Sequence, residues 1–549
     1  MNGEFIRTDN GISRKDFIRY LTLMAGSAFT GLQADGCRPA QDPYAHIKGG
    51  IIGASAAVGH QLRQGAFAAP AVVSHCPVVI AGGGVAGLSA ARALQQQGIK
   101  DFQLLELEAQ AGGNSSSGHN CYTSYPWGAH YLPIPNHHDT PLLRLLQEAG
   151  IITGYTAAGL PVYNETDLCF DPQERLYING RWQEGLVPQF GLAAADNKAI
   201  SDFLQLMESW RTKKGSDGRY AFDIPMALSS ADEAFLSLDG ITMAAYLQQE
   251  GFSSTPLLWY VDYCCRDDYG AGIRQVSAWA GIHYFASRRG QSGNVDSRTV
   301  LTWPEGNGRL VKHLQQYCRE QLQPQSLVYR VTPQPQEVWI DYLDVRSHTT
   351  KRIIAERCIM ATPHFITQRL LGNHAAAGGF AYSPWMVANI TLDGFPDSRG
   401  SPLSWDNVCY KGRSLGYVYA QQQLLQREAP QAHVITYYLP LDQLPPADAR
   451  KYAIGLQHAH WVRLITDELE KAHSGIRRQI QQIDVWVWGH GMIRPEPGFI
   501  SGEGRLKAQQ ALDGKVFFAH SDLSGISIFE EAFYHGNRAA MAVVRSLTA

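Results

Sequence analysis

"PVVIAGGGVAGLSAARAL", residues 77–94, decides how the rest of the chain is read. An apolar, strand-like run from Pro77 to Ala81 meets Gly82-Gly83-Gly84-Val85-Ala86-Gly87, a GxGxxG spacing. A helix follows with Ala86, Leu88, Ala90, Ala91 and Leu94 as a small, packable surface. In this order each glycine has a task. Gly82 permits a tight exit from the strand, Gly84 lets the backbone approach a diphosphate, and Gly87 lets the helix lie close to the sheet. The amides that open the helix, at Val85 and Ala86, then offer free N–H groups and a positive dipole end to phosphate oxygens. A glycine-rich turn without any ligand also satisfies the bare spacing, so the flanks carry the argument. The next strand, "FQLLELE" (102–108), ends in acids, and Glu106 sits at the distance from which a carboxylate accepts two ribose hydroxyls. Glu108 points to the same face but lies past the strand end. Residues 76–108 thus read as strand, glycine turn, helix and strand, a βαβ unit that holds a dinucleotide.

With 549 residues, 45% hydrophobic and 18% charged, the chain has room for two or three domains around a sizeable core. A formal net charge of -3 argues against a nucleic-acid partner. The nine cysteines include no CxxC pair, so neither a zinc site nor a disulfide framework is indicated. His458 and His460 fall in a helical pattern, where two residues apart diverge by roughly 200°; no metal is expected. Near the start, Arg14, Lys15 and Arg19 precede an apolar run of thirteen residues from Tyr20 to Leu32, short of the roughly 20 that a membrane span needs. "SRKDFIR" (13–19) resembles the twin-arginine export signal, with Lys15 in the second arginine position; the other reading is a basic amphipathic helix. "ADGC" (34–37) is similar to a lipoprotein cleavage box, except that Asp35 stands where a small residue is usual. That leaves lipid attachment at Cys37, and with it membrane anchoring, open. The resemblance implies the twin-arginine machinery as a partner and a periplasmic or otherwise exported location, which suits a protein folded around its cofactor before export.

"LLELEAQAGGNSSS" (104–117) carries an acidic strand end and then Gly112-Gly113. This pattern resembles the flavoprotein superfamily of amine oxidases, protoporphyrinogen oxidases and carotenoid desaturases. There the second glycine loop runs along the FAD diphosphate. Asn114 stands here where the superfamily has an arginine, so a charge contact becomes a hydrogen bond. "VFFAHSDLSGISIFEEAFYHGNRAA" (516–540) is similar to the superfamily's closing motif. The resemblance gives Asp522 to the ribitol or diphosphate and the amides of Ser527, Ile528 and Phe529 to the pyrimidine end of the flavin, with Gly536 and Ala540 keeping the last helix close. Val331 matches the position whose backbone meets adenine. The cofactor implied is FAD, held non-covalently.

The same resemblance places "YPWGAHYLP" (125–133) against the flavin, with Gly128 and Ala129 giving close backbone approach and Trp127, His130 and Tyr131 near the ring. His130 is either a base or hydrogen-bond donor to substrate, or a packed and satisfied side chain. In amine oxidases a lysine holds a water near flavin N5; the alignment of "SPWMVANITL" (383–392) puts Asn389 in its place. Asn389 either holds that water without a charge or is an ordinary hydrogen-bonded sheet residue. Trp488 and Arg494, in "DVWVWGHGMIRPEPGF" (484–499), are candidates for the pocket. Arg494 either binds a carboxylate or the cofactor, or forms a structural salt bridge. In the presumed substrate lobe, Asp267 and Asp268 either meet a cationic amine or form a salt-bridged turn with Arg266, and Trp405 belongs to a second polar-aromatic cluster.

The fold class expected is α/β: a Rossmann-like FAD-binding domain with a mostly parallel sheet, and a discontinuous α+β substrate domain. The segments are 1–37 export signal, 38–75 linker, 76–153, 301–380 and 491–549 cofactor domain, 154–300 and 381–490 substrate domain. The function implied is an exported, amine oxidase-like oxidoreductase that passes hydride from a C–H bond beside an amine nitrogen to flavin N5. Its electron acceptor is oxygen, a quinone or a periplasmic carrier. The alternatives are a desaturase or porphyrinogen-oxidase-like enzyme on an apolar substrate, and a flavin-carrying partner protein without turnover.

Overall fold

A computed structural model describes residues 42–372, 378–396, 398–425 and 430–548. The expected export signal 1–37, with Cys37, lies outside the described residues. Two sheets organise the rest. The first has seven strands: Leu322–Gln323, Phe102–Leu105, Val72–Ala81, Thr349–Met360, Val338–Asp344 and Ser326–Pro333 in that order, with Val516–Phe518 beside Thr349–Met360. Its centre is parallel, because Val72–Ala81 pairs in parallel with both Phe102–Leu105 and Thr349–Met360. Val78, Val79, Ile80 and Ala81 are fully buried, as expected for a strand covered on both faces. The helix Val85–Gln96 covers one face, and the last helix, Phe529–Thr548, lies against it. Gly536 makes that contact possible: a Cβ there would sit 2.2 Å from the Ala86 carbonyl oxygen.

The second sheet has eight strands, in the order Ile51–Ile52, Ile480–Arg494, Ala381–Leu392, His433–Pro440, Tyr417–Tyr419, Asp406–Cys409, Glu174–Ile178 and Arg181–Glu184. A helical layer that includes Ala194–Thr212, Thr255–Tyr269 and Ala278–Ala286 surrounds a separate core of Phe203, Phe222, Tyr269 and Trp279. Two boundaries differ from the sequence reading. The first cofactor strand starts at Val72, inside the expected linker, because Val72 to Cys76 already pair with Lys351 to Ala355. The strand Ile480–Arg494 runs without a break through the expected boundary at 490–491, since Ala381 and Tyr382 pair with Arg494 and Ile493. No helix among the described residues is long and apolar enough to cross a membrane.

Candidate active site

The glycine turn is built as its spacing demands. Gly82 adopts φ +108°, a conformation that side chains rarely take, and a Cβ on Gly87 would stand 1.9 Å from the Gly82 carbonyl oxygen. Gly84 differs. Its φ is -71°, and a Cβ there would meet nothing nearer than Gly113 Cα at 3.9 Å. No side chain caps the helix that follows, so its first amides stay free for a ligand. The second glycine loop closes on the first: the Gly112 amide donates to the Gly83 carbonyl at 2.9 Å. Glu106 is buried, and its two oxygens accept the amides of Gly83 at 2.7 Å and Glu108 at 2.8 Å. Burial lifts its carboxyl to about 7, against the pull of those hydrogen bonds. Glu108 is occupied elsewhere, accepting from Ser55, which leaves Glu106 as the carboxylate at the glycine turn.

From this turn the interior opens into a cavity of ≈ 130 Å³ between the two sheets. One wall comes from the second glycine loop and its neighbour, Asn114, Gly128, Ala129, His130 and Tyr131; another comes from the start of the last helix, Ser527, Ile528, Phe529 and Glu530. Asn114 donates to the Gly491 carbonyl and accepts the Ala129 amide at 2.8 Å, so it fastens the loop to the sheet. Gly128 is needed there because a Cβ would lie 2.3 Å from the Asn114 carbonyl oxygen. The sheet contributes Trp385, Val387, Tyr438 and Trp488, which share one face because Val387 pairs with Tyr438 and Trp385 with Trp488.

The chemistry at this cavity is aromatic and acidic. The His130 ring stacks on Tyr438 at 4.6 Å and lies 5.0 Å from Tyr131 and 5.5 Å from Trp405. Its free surface opens onto the cavity rather than bulk water, and that burial lowers its pKa to about 4, so His130 is neutral at physiological pH. Asp267 and Asp268 end the helix Thr255–Tyr269, at the negative end of its dipole. Asp268 is neutralised by Arg288 at 2.9 Å, and Arg266 turns away to Asp442 at 2.7 Å. Asp267 has no salt-bridge partner among the described residues; its neighbour is the Tyr131 hydroxyl at 3.4 Å. Burial, then the adjacent Asp268, push its carboxyl up to about 7. Glu530, only 4% exposed, is raised to about 7, again chiefly by burial.

The residues present fit a flavin dinucleotide. Besides the open space at Gly84, two buried polar atoms along the path lack a partner among the described residues: Ser116 Oγ in the second glycine loop, and Asn307 Oδ1 in a residue that lines the cavity. Buried polar groups are normally satisfied, so these await a ligand's own polar groups or water.

Of the candidate site residues, the structure gathers Asn114, Gly128, Ala129, His130, Tyr131, Asp267, Trp488, Ser527, Ile528 and Phe529 around the cavity. Others lie elsewhere. Trp127 is in the packing behind the cavity, edge-on to Tyr125 and against Trp486 at 5.3 Å. Trp405 lines a smaller cleft on the far side of His130. Arg494 is buried with Nε 3.3 Å from Glu496, too poorly aligned for a hydrogen bond, and lines neither space. Asp522 is enclosed: Tyr382 donates at 2.7 Å and the His364 amide at 2.9 Å. Burial pushes its pKa up, but His520 and these hydrogen bonds outweigh it and hold it below the usual value. Val331 is buried in the edge strand of the cofactor sheet, paired with Ile340.

Asn389 sits one register step beyond the cavity wall. Its amide donates to the Pro126 carbonyl at 3.0 Å and accepts the Thr436 hydroxyl at 2.7 Å. With both ends occupied it acts as a tie between sheet and loop. Asn389→Leu strands both partners, and unfolding in denaturant should show a loss of roughly 2–4 kcal/mol. A loss of turnover at unchanged stability would instead place the amide in the chemistry.

Sequence reasoning missed Tyr438, Glu530, Trp385, Asn307 and Arg288. Glu530 left one signal: an acid beside large apolar residues in the first turn of the closing helix. Tyr438, whose hydroxyl donates to the Gly128 carbonyl at 3.0 Å, left none.

The family model for flavin-containing amine oxidoreductases matches residues 85–544. Among solved structures, putrescine oxidase with putrescine bound is 15% identical, with 86% of this chain and 100% of that chain covered and a TM-score of 0.62. The cyclohexylamine oxidase of Brevibacterium oxydans is 15% identical, with 87% and 100% covered and a TM-score of 0.61. A fatty acid isomerase from P. acnes is 15% identical, with 84% and 97% covered and a TM-score of 0.58. At such identities the likeness is one of fold.

Proposed function

Because the chain belongs to the flavin-containing amine oxidoreductases, we propose that it oxidises the C–H bond beside an amine nitrogen, with the ammonium group recognised by Asp267. The enzyme is an FAD-dependent oxidoreductase, and bound FAD supplies the acceptor for the hydride that leaves that carbon. The observation that carries the amine reading is the Asp267 carboxyl, which faces an aromatic cavity and forms no salt bridge among the described residues, because Arg288, which lines the same cavity, is paired with Asp268.

An amine reaches this cavity as an ammonium ion, which the ionised Asp267 attracts in a medium that screens charge poorly. Hydride departs only from the neutral amine, so one proton must be shed first. Asp267, titrating near 7, is matched to hold that proton. Loss of the hydride then leaves an iminium ion, which keeps a positive charge beside the same carboxyl. The rings of His130, Tyr131 and Tyr438 flank the path, orient the carbon chain and exclude water. Neutral His130 adds no competing positive charge.

Anaerobic mixing of the holoenzyme with primary amines, amino acids and isoprenoids tests the reading. Primary amines are expected to bleach the flavin within the time of mixing. Bleaching by isoprenoids alone favours an apolar substrate, and no bleaching by any of them favours a flavin carrier without turnover.

A further inference from the structure

Residues 42–70 run from one sheet to the other across the adenosine end of the dinucleotide site. On the substrate side, Ile51 and Ile52 pair in parallel with Val485 and Trp486, the Lys48 amide donates to the Gln481 carbonyl at 2.9 Å, and the Tyr44 hydroxyl donates to Asp467. On the cofactor side, Leu62 is buried in one apolar cluster with Val79, Ala81, Leu105 and Val331. Phe67 stacks on Tyr329 at 4.1 Å, and the Thr350 hydroxyl donates to the Ala69 carbonyl at 2.9 Å.

Between these anchors stands Ser55. Its amide and its hydroxyl each donate to one oxygen of Glu108, both at 2.8 Å. The Glu108 amide in turn donates to Glu106 Oε1, and the Gly83 amide donates to Oε2. The result is a continuous relay: Ser55 fixes the Glu108 side chain, the turn after the strand is fixed with it, and that turn's amide holds the Glu106 carboxylate in one orientation. A carboxylate has about four acceptor sites, so two amides leave one on each oxygen for a pair of adjacent ribose hydroxyls.

We infer that residues 42–70 form a strap that closes the adenosine end of the FAD site, and that Ser55 is the residue that positions Glu106 for the ribose. The inference rests on the flavin reading. It extends that reading to how the cofactor is retained: the adenosine leaves only when a segment anchored on both sheets lifts.

The test uses the full-length protein stripped of flavin, titrated with FAD and, in parallel, with FMN, which lacks the adenosine. Ser55→Ala is expected to weaken FAD binding about tenfold and speed its release, with FMN affinity unchanged. Ser55→Thr, which keeps the hydroxyl, restores FAD affinity. In a Glu106→Ala background the Ser55→Ala effect disappears, because the group it positions is gone. Equal loss of FAD and FMN affinity, or FAD affinity within twofold of the unsubstituted protein, overturns the inference. Unsubstituted protein that takes up no FAD sinks the cofactor reading itself, which separates the two failures.

Discussion

Gly84→Ala yields a folded protein that binds FAD at least 100-fold more weakly than the unsubstituted chain. The backbone tolerates alanine at this position, since φ is -71° and ψ is -177°, a conformation open to any residue. The protein itself leaves room, because the nearest atom to the added Cβ is Gly113 Cα at 3.9 Å. Loss of glycine as the helix cap costs on the order of 1 kcal/mol, too little to unfold a domain of this size. What the methyl group does fill is the gap between the two glycine loops, over the free amides of the helix Val85–Gln96. A diphosphate must come within hydrogen-bond distance of those amides, and a methyl group in its way forces it off them. Several charge-assisted hydrogen bonds at about 1.5–3 kcal/mol each are then lengthened or lost, which accounts for the hundredfold loss.

Flavin absorbance per mole of purified protein, FAD titration and thermal unfolding of the flavin-free forms decide this together. A Gly84→Ala protein that is as yellow as its parent would refute the placement of the diphosphate. Gly87→Ala is the contrasting control. Its Cβ would collide with the Gly82 carbonyl at 1.9 Å, so it damages the fold whether or not a cofactor binds. The two neighbouring glycines therefore separate a ligand requirement from a packing requirement.

Asp267→Asn lowers kcat/KM for a cationic amine by about 10- to 100-fold at pH 8, the worth of one charge-assisted hydrogen bond in a buried site. The sign of the pH dependence follows from the raised carboxyl. Near 7, Asp267 passes from neutral below to charged above, so in the unsubstituted enzyme kcat/KM for an ammonium substrate climbs between pH 6 and pH 8. At pH 6 about nine-tenths of the Asp267 carboxyls are already protonated, so the deficit of the asparagine variant shrinks about tenfold there. Glu530 titrates in the same range, which makes the unsubstituted profile alone ambiguous. The ratio of the two proteins at each pH is the measurement that isolates Asp267. His130 contributes nothing to this inflection, since burial has moved its titration to about 4. A deficit equal at pH 6 and pH 8 would remove Asp267 from ammonium recognition.

Much of the cofactor half was legible because its chemistry is local. The strand, the glycine turn, the helix and the acid at the end of the next strand span residues 77–106, and each geometric demand falls on a residue close in sequence to the next. The closing helix was legible for the same reason, from its own spacing. Where a role depends on register, the reading was weaker. Asn389 shares a sheet face with Trp385 and Val387, and no local pattern says which of the three is covered. The structure covers Asn389 with Pro126 and leaves the other two facing the cavity. Arg494 and Trp127 lie in the right strand and loop, yet they face neighbours rather than the open space.

By itself, then, the sequence determined the α/β cofactor fold and the glycine turn between its first strand and helix. These follow from backbone conformations and spacings that a short stretch of chain imposes on itself. Only the tertiary structure decided which side chains face the cavity. His130, Asp267, Trp385, Tyr438 and Glu530 come from one loop, two helices and two strands, and they meet because strand register and helix contact bring them to the same cavity. Whether a carboxyl there is neutralised, as Asp268 is by Arg288, or left free, as Asp267 is, depends on distances between residues that no stretch of sequence contains.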